Sequence, residues 1–446
     1  MKSAILWDKC VYLGGTMEEL HWGYIQFPKL YEMADGNIGL FFHYGNDSPD
    51  ALGNGKYLYS KDRGKTWLDA DAEHIAMMGT VLRNGDALRC APWPVKKLLN
   101  IKEKSRFGNF LLPTDDLKIE KSKSADELPY PIAVQGDIFG SFNNVYLLDT
   151  LPDGMAEKQL LLYKWNNKKK SSEELHADVL QWNWRTVKTY DPSKVFDASD
   201  KQLTLDNPGL FQCREIKIAP DGSLWIAHYR DTSVNPYTGV YTGKSAVFIL
   251  RSTDEGLSWK LQGYIPYFPD EKHNIYAHLN RGFSEPSIEF AEDGTLLCLM
   301  RTCDVFFGAP EWGPTYLSKS YDFGKTWSQP EYFADRGALP ILRKLDNGVL
   351  IAVITRPGIY IYVSRDNGKT WSREIEVMTE KDRSSLANRK LVRPNFWQYA
   401  GSCCNTSVLK TDKNRFLLAY SDFYIEDETG IKRKGIKIAE IGVGNA

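Results

Sequence analysis

Two charged residues in one short stretch are spaced for joint chemistry. In SEPSIEFAEDGTLLCLMR, Glu285 and Arg301 are equidistant from Asp293 (293 − 285 = 8 and 301 − 293 = 8). An antiparallel hairpin turning at Asp293-Gly294 sets them opposite each other at its open end. A guanidinium held by a carboxylate can grip a planar acidic group; the same pair can equally be a cross-strand ion pair with only structural value. Two further clusters carry groups suited to proton transfer: His43-Tyr44, and His228-Tyr229-Arg230 at the end of another apolar hairpin. A His or Tyr base can remove a proton α to a carboxylate while an arginine stabilises the enediolate. At strand ends the same residue types also serve by satisfying neighbouring backbone groups. The loop HYGNDSPDALGNG supplies Asp47 and Asp50, which suit either acid chemistry or local turn capping.

Other chemistries lack their residues. Seven cysteines (Cys10, Cys90, Cys213, Cys298, Cys303, Cys403, Cys404) form an odd set without CxxC spacing. That argues against a disulfide framework and against zinc, so no metal-ligating residues are singled out, and calcium on scattered loop carboxylates stays open. There is no phosphate loop or nucleotide fingerprint, and no cofactor is expected. Lys plus Arg total 56 and Asp plus Glu 57, a net charge of −1, so no basic field favours nucleic acid or an anionic membrane. Apolar runs such as 296–300 and 359–363 are far shorter than the roughly 20 residues that span a bilayer. The start MKSAILWDKC lacks the pattern of a signal peptide, so the cytoplasm is the expected location, and secretion if a leader has been trimmed away.

The elements that position these residues are strands. The chain of 446 residues holds 13 Trp, 24 Tyr and 35 Gly in short β-prone runs separated by turn residues, and no long helical period competes. One octapeptide recurs four times: Ser60 to Trp67 (SKDRGKTW), Ser252 to Trp259 (STDEGLSW), Ser320 to Trp327 (SYDFGKTW) and Ser364 to Trp371 (SRDNGKTW). Its Asp accepts amide hydrogen bonds within the turn, its Gly supplies positive φ, and its Trp packs the following strand. A second repeat, two apolar strands around an Asp-Gly type turn, falls near Gly36, Gly154, Gly222, Gly294, Gly348 and residues 412–414, with a weak copy at Asn84-Gly85. The last five copies span 414 − 154 = 260 residues in four steps, about 65 each, the length of a propeller blade. The spacing predicts an all-β propeller of four-stranded blades over 1–446 as one domain, seven blades being favoured and six the alternative. The KKK and KSKS stretches between residues 69 and 199 read as solvated loops.

The octapeptides resemble the Asp-box, or bacterial neuraminidase repeat, of the sialidase superfamily, and the likeness spans nearly the whole chain. It implies a sialidase-like β-propeller and a glycan substrate. Sialidases are similar to one another in a three-arginine clamp for the sugar carboxylate, a Tyr nucleophile assisted by a Glu, and an Asp acid/base. An uncharged Tyr attacks an already anionic sugar with less repulsion than a carboxylate would suffer. The resemblance places Glu285 as the Glu and Arg301 as one clamp arginine. It places Arg356, in TRPGIYIYVSRDNGKTW, as another, with Arg343 as the competitor, and Asp50, less readily Asp47, as the acid. The chain departs elsewhere: Ile25-Gln26-Phe27-Pro28 carries Gln26 where the family has its first arginine, and His43-Tyr44-Gly45 replaces a further one. In YAGSCCNTSVLKTDKNRFLLAYSD, Cys404 falls at the nucleophile register and Tyr399 lies five residues upstream (404 − 399 = 5), within reach only if the loop bulges.

Three functions follow. The first is a sialidase-like exo-glycosidase for a terminal acidic sugar: Arg301 and Arg356 hold the carboxylate, Asp50 protonates the leaving oxygen, and Tyr399 with Glu285 acts at the anomeric carbon, with Gln26, His43 and Tyr44 lining the sugar. The second is a propeller lyase acting on uronates through His43, Tyr44, His228, Tyr229 and Arg230. The third is a non-catalytic glycan binder using Trp182, Trp184, Trp312 and Trp397 as stacking platforms.

Overall fold

The computed structural model describes the chain outside residues 1, 17–18, 21–22, 46–54, 91–96, 101–103, 106–107, 110–132, 137–140, 151–158, 181–183, 191–201, 206–210, 231–233, 241, 275–276, 279, 303–312, 380–401, 403–404 and 445–446. Its strands group into four-stranded antiparallel units, each beginning on an inner strand and closing outward. The first unit is Gln26–Met33, Ile38–His43, Gly55–Ser60 and Leu68–Asp69, and the second Met78–Val81, Ala87–Cys90, Gln159–Asn166 and Ser171–Leu180. The third runs from Phe211–Ile218 through Leu224–Arg230 and Ala246–Ser252 to Ser258–Ile265. The fourth runs from Phe283–Phe290 through Leu296–Thr302 and Thr315–Ser320 to Glu331–Ala334. Ile341–Lys344, Leu350–Thr355, Ile359–Ser364 and Ser372–Met378 make the fifth. In the sixth, Thr406–Asp412, Arg415–Glu426 and Lys432–Gly442 take the N-terminal strand Ala4–Leu13 as their outermost member. The two ends of the chain thus share one sheet, which locks the ring without leaving an open edge between first and last blade.

Among the described residues the six inner strands contact one another in sequence, and Thr406–Asp412 meets Gln26–Met33 to complete the circle. The blade number is therefore six, the smaller of the two expected values. The spacing that favoured seven traces to one insertion. Between the second and third strands of the second blade, and again after that blade, the chain builds a five-stranded sheet from Lys97–Asn100, Ala133–Gly136, Ser141–Leu147, Trp184–Tyr190 and Gln202–Leu205. The inner hairpin of the second blade turns at the weak Asn84-Gly85 copy, where Val81 pairs with Ala87. The Gly154 copy lies outside the described residues.

Strand period explains the core. In Leu296–Thr302 every residue is buried, because side chains pointing alternately to the two faces meet a blade on each side. Leu296, Cys298 and Met300 pack with the third blade, whereas Leu297 and Leu299 pack with the fifth. Six apolar clusters result, one at each blade interface.

The octapeptides join third to fourth strands in the first, third, fourth and fifth blades. Their hydrogen bonds repeat: at Asp322, Oδ1 accepts from the Thr326 amide at 2.8 Å and Oδ2 from its hydroxyl at 2.5 Å, while Trp327 Nε1 donates to the Gly324 carbonyl at 3.0 Å. A Cβ on each glycine would run into the second strand of the preceding blade, Gly64 at Leu417, Gly256 at Leu88, Gly324 at Trp225 and Gly368 at Leu297. A turn motif that looks local is thus also an interface contact.

Candidate functional site

The inner strands start, and the second strands end, at one mouth of the ring. Gln26 opens its strand; His43, Tyr229 and Arg301 end or nearly end theirs; Arg356 follows Leu350–Thr355 directly. A proline near the start of two inner strands removes a ladder donor and marks a bulge. The register shifts between Ser284 and Ser287 around Pro286, and between Gln26 and Lys29 around Pro28. Arg301 consequently pairs across the ladder with Ser284, one residue from the Glu285 register that equal spacing predicts. The bulge turns Glu285 with φ +50°, and its carboxylate still meets the arginine: Arg301 Nη1 donates to Oε2 at 2.7 Å.

The backbone amide of Leu339 donates to the same Oε2 at 2.6 Å. Arg356, also buried, donates from Nη2 to Asn405 Oδ1 at 3.2 Å. Burial works against the Glu285 charge, but the Arg301 and Arg356 guanidiniums, the Arg301 hydrogen bond and the Leu339 amide outweigh it and hold its carboxyl below the usual carboxylate value. Two buried cations therefore converge on one carboxylate. Beside the first-blade bulge, the Gly23 amide donates to Gln26 Oε1 at 3.2 Å, and His43 Nδ1 lies 3.0 Å from the Gly23 carbonyl, which makes Nδ1 the protonated nitrogen. Tyr44 is exposed, with its ring 5.8 Å from that of Tyr24.

Backbone strain concentrates at this mouth. Among the described residues, non-glycine positive φ occurs at the fourth octapeptide position (Arg63, Glu255, Phe323, Asn367), at Lys170 in a hairpin, and at Ile25, Phe27, Glu285, Leu339 and Arg356. The last five belong to the two bulges, to the donor on Glu285 and to Arg356 itself. Such conformations cost on the order of 1–3 kcal/mol each and gather where function over-determines geometry.

The structure thus brings Glu285, Arg301 and Arg356 into one cluster and puts Gln26, His43 and Tyr44 at the same mouth. The competitor Arg343 goes elsewhere: it grips Glu215 through both nitrogens, at 2.7 Å from Nη2, toward the opposite end of the ring. His228 is buried and Tyr229 half-buried, with ladder partners Gln212 and Phe211 at the same mouth. The side chain of Arg230, and Asp47, Asp50, Tyr399 and Cys404, lie outside the described residues, as do Trp182, Trp312 and Trp397. Trp184 is fully buried in the second interface and offers no stacking face. Asn405 and the Leu339 amide escaped sequence reasoning. Asn405 precedes an inner strand, a position that could have singled it out, whereas a backbone amide leaves no residue-type signal.

Residues 149–430 match the BNR repeat-like domain. No curated protein matches the chain. Similar solved structures include a Dyadobacter fermentans protein of unknown function, with 16% identity over 99% of both chains and a TM-score of 0.50. The α-L-arabinanase of Penicillium chrysogenum shows 10% identity over 98% of both chains at a TM-score of 0.46. The NanB sialidase of Streptococcus pneumoniae shows 13% identity over 97% of this chain and 70% of that one, at 0.44. The likeness to the Dyadobacter protein is one of fold. With well over half of its length matched, the chain belongs to the BNR repeat-like domain family.

Proposed function

We propose that this protein is a carbohydrate-active enzyme of the glycoside hydrolase type that removes a terminal acidic sugar from a glycan. The observation that carries this reading is the convergence of Arg301 and Arg356 on the single carboxylate of Glu285, on strained backbone at the mouth of the ring. Two buried guanidiniums beside one carboxylate suit the docking of a substrate carboxylate, each charge-assisted bond contributing about 1.5–3 kcal/mol. Glu285 orients Arg301; Gln26 and His43, tied through Gly23, shape the opposite wall. Asp50 as proton donor to the leaving oxygen and Tyr399 as nucleophile rest on the sequence resemblance alone. Hydrolysis then breaks the glycosidic C–O bond and adds water across it.

A uronate lyase is the second reading, favoured by His43, which ends its second strand at the mouth, and by Tyr229, one residue from the end of its own as Arg301 is. One panel separates the readings: sialosides, other acidic glycosides and uronate polymers, with products analysed by mass and ultraviolet absorbance. A saturated free sugar supports hydrolysis. Only ultraviolet-absorbing product overturns it in favour of β-elimination, and binding without turnover overturns both in favour of a glycan-binding propeller.

A further inference from the structure

A cavity of about 300 Å³ lies on the axis, walled by residues of all six inner strands. It is separate from the mouth that holds Glu285. The fourth blade contributes Glu289 to it, four positions further along the inner strand, on the order of 10 Å away.

Six cationic side chains line it against three carboxylates. Glu215 and Glu289 are bridged by Lys217, whose Nζ lies 2.9 Å from the first and 2.7 Å from the second, and Arg343 grips Glu215 with both nitrogens. Burial opposes the Glu215 charge, but these two cations hold its carboxyl well below the usual range. At the rim, Lys344 turns to Glu292 at 3.3 Å and Lys410 to Asp346 at 2.6 Å, and Glu32 is exposed. Two further cations line the cavity, Lys29 and Arg89. Arg89 forms no hydrogen bond or ion pair with a described residue, and its Nε is buried. Its guanidinium lies 5.9 Å over the Tyr31 ring and 5.4 Å over the Tyr163 ring, and Lys29 Nζ lies 5.0 Å over Tyr31. Aromatic faces thus support both cations, and the Nε of Arg89 has no partner among the described residues.

We propose that this cavity binds a tetrahedral oxyanion of the phosphate or sulfate class, with Arg89 as anchor and Lys29 beside it. A guanidinium fork matches two oxygens of such an ion, and a partly enclosed site strengthens the attraction relative to water. Lys29 stands on the inner strand of the first blade and Arg89 on the second strand of the second, so a bound ion ties these two neighbouring blades together. This site does not depend on the activity proposed at the other mouth.

The test uses the intact protein at constant ionic strength, with inorganic phosphate titrated by calorimetry and followed by thermal unfolding. Saturable binding with a rise in Tm is expected. Arg89→Gln and Lys29→Met should each weaken it about tenfold or more, while Arg301→Ala leaves it unchanged. A phosphate monoester run in parallel identifies the source: equal affinity supports a phosphorylated ligand, and weaker binding the free ion. Absence of saturable phosphate binding to the wild type overturns the proposal, as does binding that survives both Arg89→Gln and Lys29→Met.

Discussion

Arg301 donates to Glu285 at 2.7 Å although its ladder partner is Ser284. The bulge at Pro286 converts a cross-strand neighbour into an inward carboxylate that also takes the Leu339 amide and feels Arg356. Were the pair only a strand clamp, flat pairing would hold it equally well without a residue at φ +50°. Glu285→Ala takes the carboxylate away from the buried Arg301 guanidinium, so it should destabilise the fold by about 3–5 kcal/mol in urea unfolding. Glu285→Gln keeps an acceptor and should cost less. Wild-type stability in both variants would remove Glu285 from its holding role.

The octapeptide glycines give a sharper test of how blades dock. A Cβ on Gly324 would stand 2.7 Å from the Trp225 ring, which is fully buried and cannot swing away, whereas a Cβ on Gly294 would meet nothing within 4 Å. Both have positive φ, +78° and +86°. Gly294→Ala should therefore cost only the left-handed backbone penalty, about 1–2 kcal/mol. Gly324→Ala adds overpacking of about 1–3 kcal/mol. Equal losses in chemical denaturation would mean that the octapeptide is a local turn with no part in the interface.

The repeats made much of this legible. Asp-Gly turns and octapeptides mark strand ends because their hydrogen bonds close within a few residues, so Gly222, Gly294 and Gly348 locate hairpins directly. Blade number was hidden because the five-stranded insertion stretches the second blade beyond the period of its neighbours. Glu285 and Arg301 were visible through spacing, but a bulge cannot be read from residue counts, so their register was one place off. Contacts made by distant backbone, such as Leu339 on Glu285, have no local sequence signature.

Acid should loosen the octapeptides in a defined window. The Thr66 and Thr326 hydroxyls and amides hold the carboxyls of Asp62 and Asp322 at about 2, against an ordinary 3.8. At Asp366 burial opposes ionisation, but the Thr370 and Ser364 bonds prevail and the value again falls to about 2. A folded-state pKa below the unfolded one contributes stability that is complete above about pH 4 and is lost as pH falls toward 2. Tm should drop across that window, and Asp322→Asn should flatten the drop while lowering the plateau at neutral pH. An unchanged slope in Asp322→Asn would show that other carboxylates govern acid unfolding.

Arg343 and Arg356 are close in sequence and have different partners, and one conservative substitution should separate them. Lysine keeps the charge but loses the planar fork that takes two oxygens. At Arg343 the fork ties Glu215 of the third blade to the fifth, and Nη2 also reaches the Val408 carbonyl of the sixth at 2.8 Å. Arg343→Lys should lower stability by about 1–3 kcal/mol and leave KM for an acidic glycoside unchanged. Arg356 donates from Nη2 to Asn405 and lies in the field of Glu285, and in the proposed function its guanidinium also takes the substrate carboxylate. Arg356→Lys should raise that KM about 10- to 100-fold with near wild-type unfolding. If KM rose with Arg343→Lys and not with Arg356→Lys, the acidic group would have to dock at the other end of the axis, and the assignment of the Glu285 mouth as the catalytic one would fall.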